Sequence, residues 1–233
     1  MTDVSVILTA HREGVLAGAT SRSAVAAIER AQKEGGLRCE VVVVLDNATS
    51  ETRAVIEHGL GALSEVPLKV IDVKTGDPGL SRNFGIAEAN SPFSTFLDGD
   101  DLWSSNWILE AHKFAKNRPD AVAQSMCNVT FGKQKNVWWH VDSEGDLFQP
   151  EYLAWTNYWD AMSFAHTDIY KKYPFKANDL KLGFGHEDWH WSVWTYNQGV
   201  PHKPVPGTIH FKRRRSGSQM SLVEKAGAVV WPT

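Results

Sequence analysis

The sequence predicts an α/β fold with a doubly wound, mostly parallel sheet, and three observations carry that prediction. Within the first hundred residues, four short apolar or β-branched runs alternate with segments of helical spacing. One run, Glu40-Val41-Val42-Val43-Val44-Leu45, is almost continuously apolar, as a strand covered by helices on both faces must be. Polar clusters stand directly after the runs, and sheets of this kind gather ligands at the carboxyl ends of their strands.

The elements follow in order. Residues 4–9 are β-branched and apolar and end at Ala10-His11-Arg12-Glu13. A helix is predicted over 21–34, with Ala24, Ile28 and Ala31 at helical spacing and Gly35-Gly36 as its stop. The second strand, 40–45, ends at Asp46-Asn47, and Thr49-Ser50-Glu51 opens a second helix. Residues 68–73 form the third strand, Gly79-Leu80-Ser81-Arg82-Asn83 leads into a helix reaching Ala89, and 93–97 is the fourth strand. No Gly-x-Gly-x-x-Gly follows the first strand, which argues against an ordinary dinucleotide site.

Beyond Pro119 the alternation weakens. Residues 121–131 and 137–141 read as a strand pair around the turn 132–136, 151–159 as a loop or short helix, and 163–170 as another strand. Gly183-Phe184-Gly185-His186 precedes a helix that runs to about Asn197, with Glu187 and Asp188 in its first turn, where the helix dipole favours negative charge. The last strand, 208–211, feeds Lys212-Arg213-Arg214-Arg215 and then Ser216-Gly217-Ser218, a flexible hinge composition. Trp189, Trp191 and Trp194 cannot share one helical face, so at least one ring is expected to face a cleft.

A chain of 233 residues that is 42% hydrophobic supports one sizeable core, and a single domain is expected. The net charge, 24 minus 27 or −3, argues against a general nucleic-acid binder. No apolar run is long enough to span a membrane. Cys39 and Cys127 lie far apart in apolar runs, as buried free thiols in a reducing cytoplasm would, and a cytoplasmic location is expected. Seven of the ten tryptophans fall between Trp138 and Trp194, so the second half is aromatic-rich in a way the first is not.

The chemistry centres on Phe96-Leu97-Asp98-Gly99-Asp100-Asp101, three carboxylates within four positions after a buried strand. Alone it reads first as an acidic turn, with Asp101 capping a helix that begins near Trp103. Acids crowded this way also stay ionised when a cation shares the site, and a divalent metal holding a diphosphate meets that need. Gly99 lets the backbone turn between two ligands.

These pieces together resemble the GT-A fold glycosyltransferases of family 2. The matching stretches are 4–10, 43–50, 79–86, 96–101, Gly185-His186-Glu187-Asp188-Trp189 and Arg214-Arg215-Ser216-Gly217-Ser218, all in the family's order. The first 105 residues match best, and 120–180 match in little beyond strand pattern. Two departures stand out: Ala10-His11-Arg12 replaces the Pro and Asn common after the first strand, and the histidine often found near Arg215 lies earlier, at His210.

The resemblance implies a GT-A, Rossmann-like sheet with helices on both faces. Residues 1–118 would form a nucleotide-sugar-binding half, and 119–233 a smaller acceptor-binding half. It implies transfer of a sugar, with inversion, from a nucleotide-diphosphate donor to a hydroxyl of a saccharide or other acceptor, in the manner of polysaccharide biosynthesis. A UDP-sugar is favoured. Asp100 is expected as the direct metal ligand, Asp98 as a contact to ribose or to the metal's water shell, and His210 as a third ligand, with Mn²⁺ or Mg²⁺ as the ion. Asp46 would accept from a pyrimidine N–H; Arg82 would neutralise phosphate beside Asn83; Arg213, Arg214 and Arg215 would close over the diphosphate; Ala10, His11, Arg12 and Gly99 complete the donor wall. Asp188 is expected as general base, with Glu187 orienting base or acceptor. A nucleotide-sugar-binding pseudoenzyme and a sugar-phosphate nucleotidyltransferase are the rival readings. The reading is compatible with peripheral membrane association and with further domains beyond residue 233.

Overall fold

A computed structural model describes residues 1–215 and 219–233. Its first half is β1 (Val4–Ala10), α1 (Ala17–Gly35), β2 (Cys39–Asp46), α2 (Ser50–Leu60), β3 (Leu68–Val73), α3 (Pro78–Ala87) and β4 (Phe93–Asp98). β1, β2, β3 and β4 pair in parallel in the order β3-β2-β1-β4. The α/β prediction holds, and β1 and β2 are buried along their whole length, as the apolar run required.

Local sequence explains the helix ends. Thr49 caps α2 by accepting from the Thr52 amide, and Asp77 caps α3 by accepting from the Leu80 amide with Pro78 in the first turn. α1 ends on Gly36 at φ 64°, a left-handed position. It begins four residues before the expected start, because a 3-10 turn at Gly14–Leu16 leads directly into it. On Gly85 of α3 a Cβ would lie 2.3 Å from the Ile7 side chain, so this glycine sets how closely α3 lies on the sheet.

The second half extends the same sheet. It comprises β5 (Leu102–Trp103), α4 (Trp107–Asn117), β6 (Val122–Gly132), β7 (Asn136–Trp139), β8 (Phe164–His166), α5 (Thr167–Lys172), β9 (Phe184–Gly185), α6 (Glu187–Asn197), β10 (His202–Arg214), α7 (Gln219–Ala226) and β11 (Val229–Val230). β8 pairs antiparallel to β4 and β6, β10 lies parallel to β6, and β5 and β7 add antiparallel edges. The hairpin β6–β7 agrees with the sequence reading. The strand expected over 163–170 is shorter, giving way at Thr167 to α5, and β10 runs well beyond the expected 208–211.

The helix expected near Trp103 does not start there. Trp103 pairs in β5 with His210 of β10, α4 starts at Trp107, and Asp101 is buried rather than capping. Cys39 and Cys127 are free and buried, as expected. Among the described residues, no helix is long and apolar enough to cross a membrane.

Candidate active site

A cavity of about 1060 Å³ opens at the carboxyl ends of the parallel strands. One wall comes from Thr9, Ala10, His11 and Arg12 after β1, Asp46 at the end of β2, and Asp98 to Asp101 after β4. The other comes from the start of α6, the end of β10 and the tryptophans of β7. Two described residues other than glycine have positive φ, Asn47 (49°) and His186 (59°), and they stand directly after Asp46 and directly before Glu187. Backbone held this way costs energy and tends to gather where side chains must be aimed.

The acids of the Asp98–Asp101 turn each have a cationic partner. Arg82 Nη2 donates to both oxygens of Asp98 at 2.8 and 3.0 Å, and Thr9 Oγ1 adds a bond at 3.1 Å. Asp100 accepts from Arg215 Nε at 2.6 Å. Asp101 meets the Lys212 ammonium at 2.9 Å and the Arg213 amide at 2.6 Å. Burial raises the Asp101 carboxyl to about 7, against the Lys212 charge and aided by Asp100 and Asp98. Gly99 does not need left-handed backbone. It is small because a Cβ there would lie 3.0 Å from the Thr9 carbonyl oxygen and 3.1 Å from Ala10 Cβ, so the turn lies flush on β1.

The start of α6 is tied to this turn. Arg82 is buried, and while Nη2 holds Asp98, Nη1 donates to Glu187 at 3.0 Å. Asn178 holds the second Glu187 oxygen at 3.1 Å and also donates to Asp77. Asp188 lines the cavity beside Glu187. Its carboxyl is raised to about 7, chiefly by burial and then by the charges of Glu187 and Asp160, with Arg82 and Lys212 opposing.

The structure gives the remaining expected residues these surroundings. Arg82 lines the cavity, and its guanidinium pairs with two carboxylates, which holds the acids in place. Asn83 leaves the site: its amide exchanges two hydrogen bonds with the Phe175 backbone at 2.8 and 2.9 Å. Asp46 accepts from Asn47 Nδ2, the amides of Thr75, Gly76 and Asp77, and the hydroxyls of Thr75 and Ser81. A carboxylate offers about four lone-pair directions, so this one is saturated, and its action is to pin residues 75–77. Burial raises its pKa, but the bonds from Thr75, Gly76 and Ser81 outweigh that and leave it below the usual range.

His210 lies apart from the cavity. It is fully buried with Trp107 edge-on at 4.4 Å, outside the cavity lining, and burial lowers its pKa to about 3. Arg214 and Arg215 do line the cavity, and Arg215 also reaches Glu13 at 3.4 Å. Ser216, Gly217 and Ser218 lie outside the described residues. Of the three α6 tryptophans, Trp191 is buried and Trp189 lines the cavity, its indole N–H on the Leu153 carbonyl at 2.9 Å.

Sequence reading missed Lys212 and Asp160. Asp160 has no motif around it, and Lys212 reads as the first member of a surface basic run. Only the inward alternation of a longer β10 could have flagged it.

The family model described as Glycosyl transferase family 2 matches residues 5–178. The chain belongs to glycosyl transferase family 2. Solved structures agree on the fold. TarS 1-349 of S. aureus, in complex with UDP-GlcNAc, superposes with a TM-score of 0.67 at 19% identity, covering 94% of this chain and 60% of that one. Mannosyltransferase PcManGT from Pyrobaculum calidifontis, in complex with GDP-Man and Mn²⁺, gives 0.65 at 13% identity, covering 95% and 61%. GalNAc-T7 with UDP, GalNAc and Mn²⁺ gives 0.66 at 14%, covering 92% and 44%. The chain thus spans less than two thirds of these relatives' lengths. No curated protein matches the sequence. The fold is therefore that of the family 2 glycosyltransferases, as the resemblance implied.

Proposed function

We propose that this chain transfers a hexose from a nucleotide-diphosphate sugar to a hydroxyl of a saccharide acceptor, with inversion at the anomeric carbon. One observation carries the reading. A single cavity holds Asp100 with Arg215 at the carboxyl ends of the strands and, across it, a carboxylate at the start of α6 raised to about 7.

The donor's diphosphate is assigned to the Asp100–Arg215 corner. Arg215 is held there by Asp100 and Glu13 and can turn its guanidinium onto phosphate oxygens, a geometry it suits well. The nucleobase is assigned to the side that Asp46 shapes by fixing residues 75–77, with His11 bonded to the Asp46 carbonyl beside it. Uridine is the favoured base, because TarS and GalNAc-T7 are described with UDP ligands; guanosine is the comparison, because the mannosyltransferase is described with GDP-Man.

The donor atoms here are hard carboxylate oxygens, which suit Mn²⁺ or Mg²⁺. Among the described residues, no three acid, thiol or imidazole groups converge to hold an ion by themselves. The set fits an ion that completes its ligands with diphosphate oxygens and water. Asp100 would hold that ion, with Asp98 behind it, and when bound it would neutralise charge on the departing diphosphate.

Asp188 is assigned as the base that takes the proton from the acceptor hydroxyl. A carboxyl poised near 7 is a stronger proton acceptor than an ordinary one and is still largely ionised just above neutrality. Glu187, fixed by Arg82 and Asn178, orients it. Trp138, Trp139 and Trp189 offer ring faces for the acceptor's C–H surfaces.

A thermal-shift panel of UDP- and GDP-sugars, with and without Mn²⁺, tests the reading, followed by detection of released nucleoside diphosphate. One donor should raise the melting temperature with Mn²⁺ and be turned over. A panel without any stabilising donor would refute it.

A further inference from the structure

Lys212 has a surrounding that the donor reading does not use. Its side chain is 16% exposed and lies among three carboxylates: Asp101 at 2.9 Å, Asp160 at 3.4 Å and Asp98 at 3.7 Å. Strand pairing fixes it there. His210 faces Trp103 and Phe211 faces Leu102 across the antiparallel β10–β5 pair, which brings Lys212 opposite Asp101. The Arg213 amide bonds Asp101 directly, so the lysine backbone cannot drift. Asp160 is equally fixed, by Asn128 Nδ2 at 2.6 Å and the Met162 amide at 2.7 Å.

We infer that Lys212 is a built-in counter-cation for the floor of this site. Its ammonium, and no divalent ion, holds Asp98, Asp101 and Asp160 together in the resting protein. Three carboxylates this close repel unless a cation lies among them, and an unpaired buried charge costs several kcal/mol. One ammonium with three donors matches three acceptors. It also covers the charge of these acids, leaving Asp100, paired with Arg215, as the acid that can turn to an ion arriving with a diphosphate. Lys212 is thus a positioning residue. The inference leans on the proposed function only for where the diphosphate goes.

The test compares the purified full chain with Lys212→Met and Lys212→Arg by melting temperature in EDTA and in Mn²⁺ alone, without nucleotide. Wild type should melt at the same temperature in both. Lys212→Met should melt lower in EDTA and, with its three acids uncovered, gain about 5 °C or more at saturating Mn²⁺. Lys212→Arg, which keeps the charge, should melt closer to wild type in EDTA and gain less from Mn²⁺. The inference is overturned if Mn²⁺ alone stabilises wild type as much as Lys212→Met, or if Lys212→Met melts like wild type and ignores Mn²⁺. Should Lys212→Met not fold under any condition, the wild-type arm decides: indifference to EDTA and Mn²⁺ supports the inference, and a fall in EDTA overturns it. UDP binding to wild type is read separately, so its absence strikes the donor reading without altering these arms.

Discussion

Replacing Arg82 by methionine removes a side chain that joins the Asp98 turn to the start of α6. The guanidinium is 3% exposed and makes two bonds to Asp98 and one to Glu187, which are 23% and 9% exposed. Removing one partner of a buried ion pair costs about 3–5 kcal/mol, because the other charge stays behind without compensation. Asp98 keeps Thr9 and Lys212, and Glu187 keeps Asn178, so the low end applies, about 3 kcal/mol. For a chain of this size that is a fall of about 6–12 °C in melting temperature. Urea and thermal unfolding of Arg82→Met, Glu187→Gln and the double variant measure both the loss and its non-additivity. The pH dependence gives a second readout. Burial raises the Asp98 carboxyl, but Arg82 and Lys212 outweigh it, so its folded pKa lies below the ordinary value of about 3.9. Its stabilisation is present above that value and fades as the pH falls through the folded pKa; in Arg82→Met the acid loss should begin at higher pH. A loss under about 1 kcal/mol, the worth of a surface pair, would refute the tie.

Other outcomes follow from the same geometry. Asp188→Asn should leave donor binding near wild type and abolish transfer, and wild-type transfer should rise with pH through about 7 as this carboxyl ionises; loss of both binding and transfer would contradict the separation of roles. Gly85→Ala should destabilise by about 1–3 kcal/mol in chemical unfolding, since its Cβ would press on Ile7 at 2.3 Å. Trp139, 60% exposed at the cavity's rim, should act on the acceptor alone: Trp139→Ala should raise the acceptor KM and leave donor affinity unchanged.

The first half was readable because its signals are local. Apolar runs, helix caps and the acids after each strand depend on neighbours in sequence, and β1 to β4 form where those signals place them. Glu187 and Asp188 do open a helix, also as read. What was not legible around the site is a matter of tertiary pairing. Arg82 and Asn83 look like phosphate contacts until α3 is seen packed against Phe175 and the start of α6. His210 looks like a ligand until strand alternation turns it into the core beside Trp107. Asp101 seems a cap until β5 pairs with β10 and draws Lys212 over it. Nothing near Asp160 in sequence announces that Asn128 and Lys212 will meet it.

The central claim is that a nucleotide diphosphate sits where Asp100 and Arg215 now pair. Diffraction from crystals of the chain grown with UDP and Mn²⁺ tests it most directly. The account predicts the diphosphate in that corner, with Arg215 turned from Asp100 onto phosphate oxygens and the cation on Asp100. A nucleotide bound elsewhere, or the Asp100–Arg215 pair intact beside an empty corner, would contradict it.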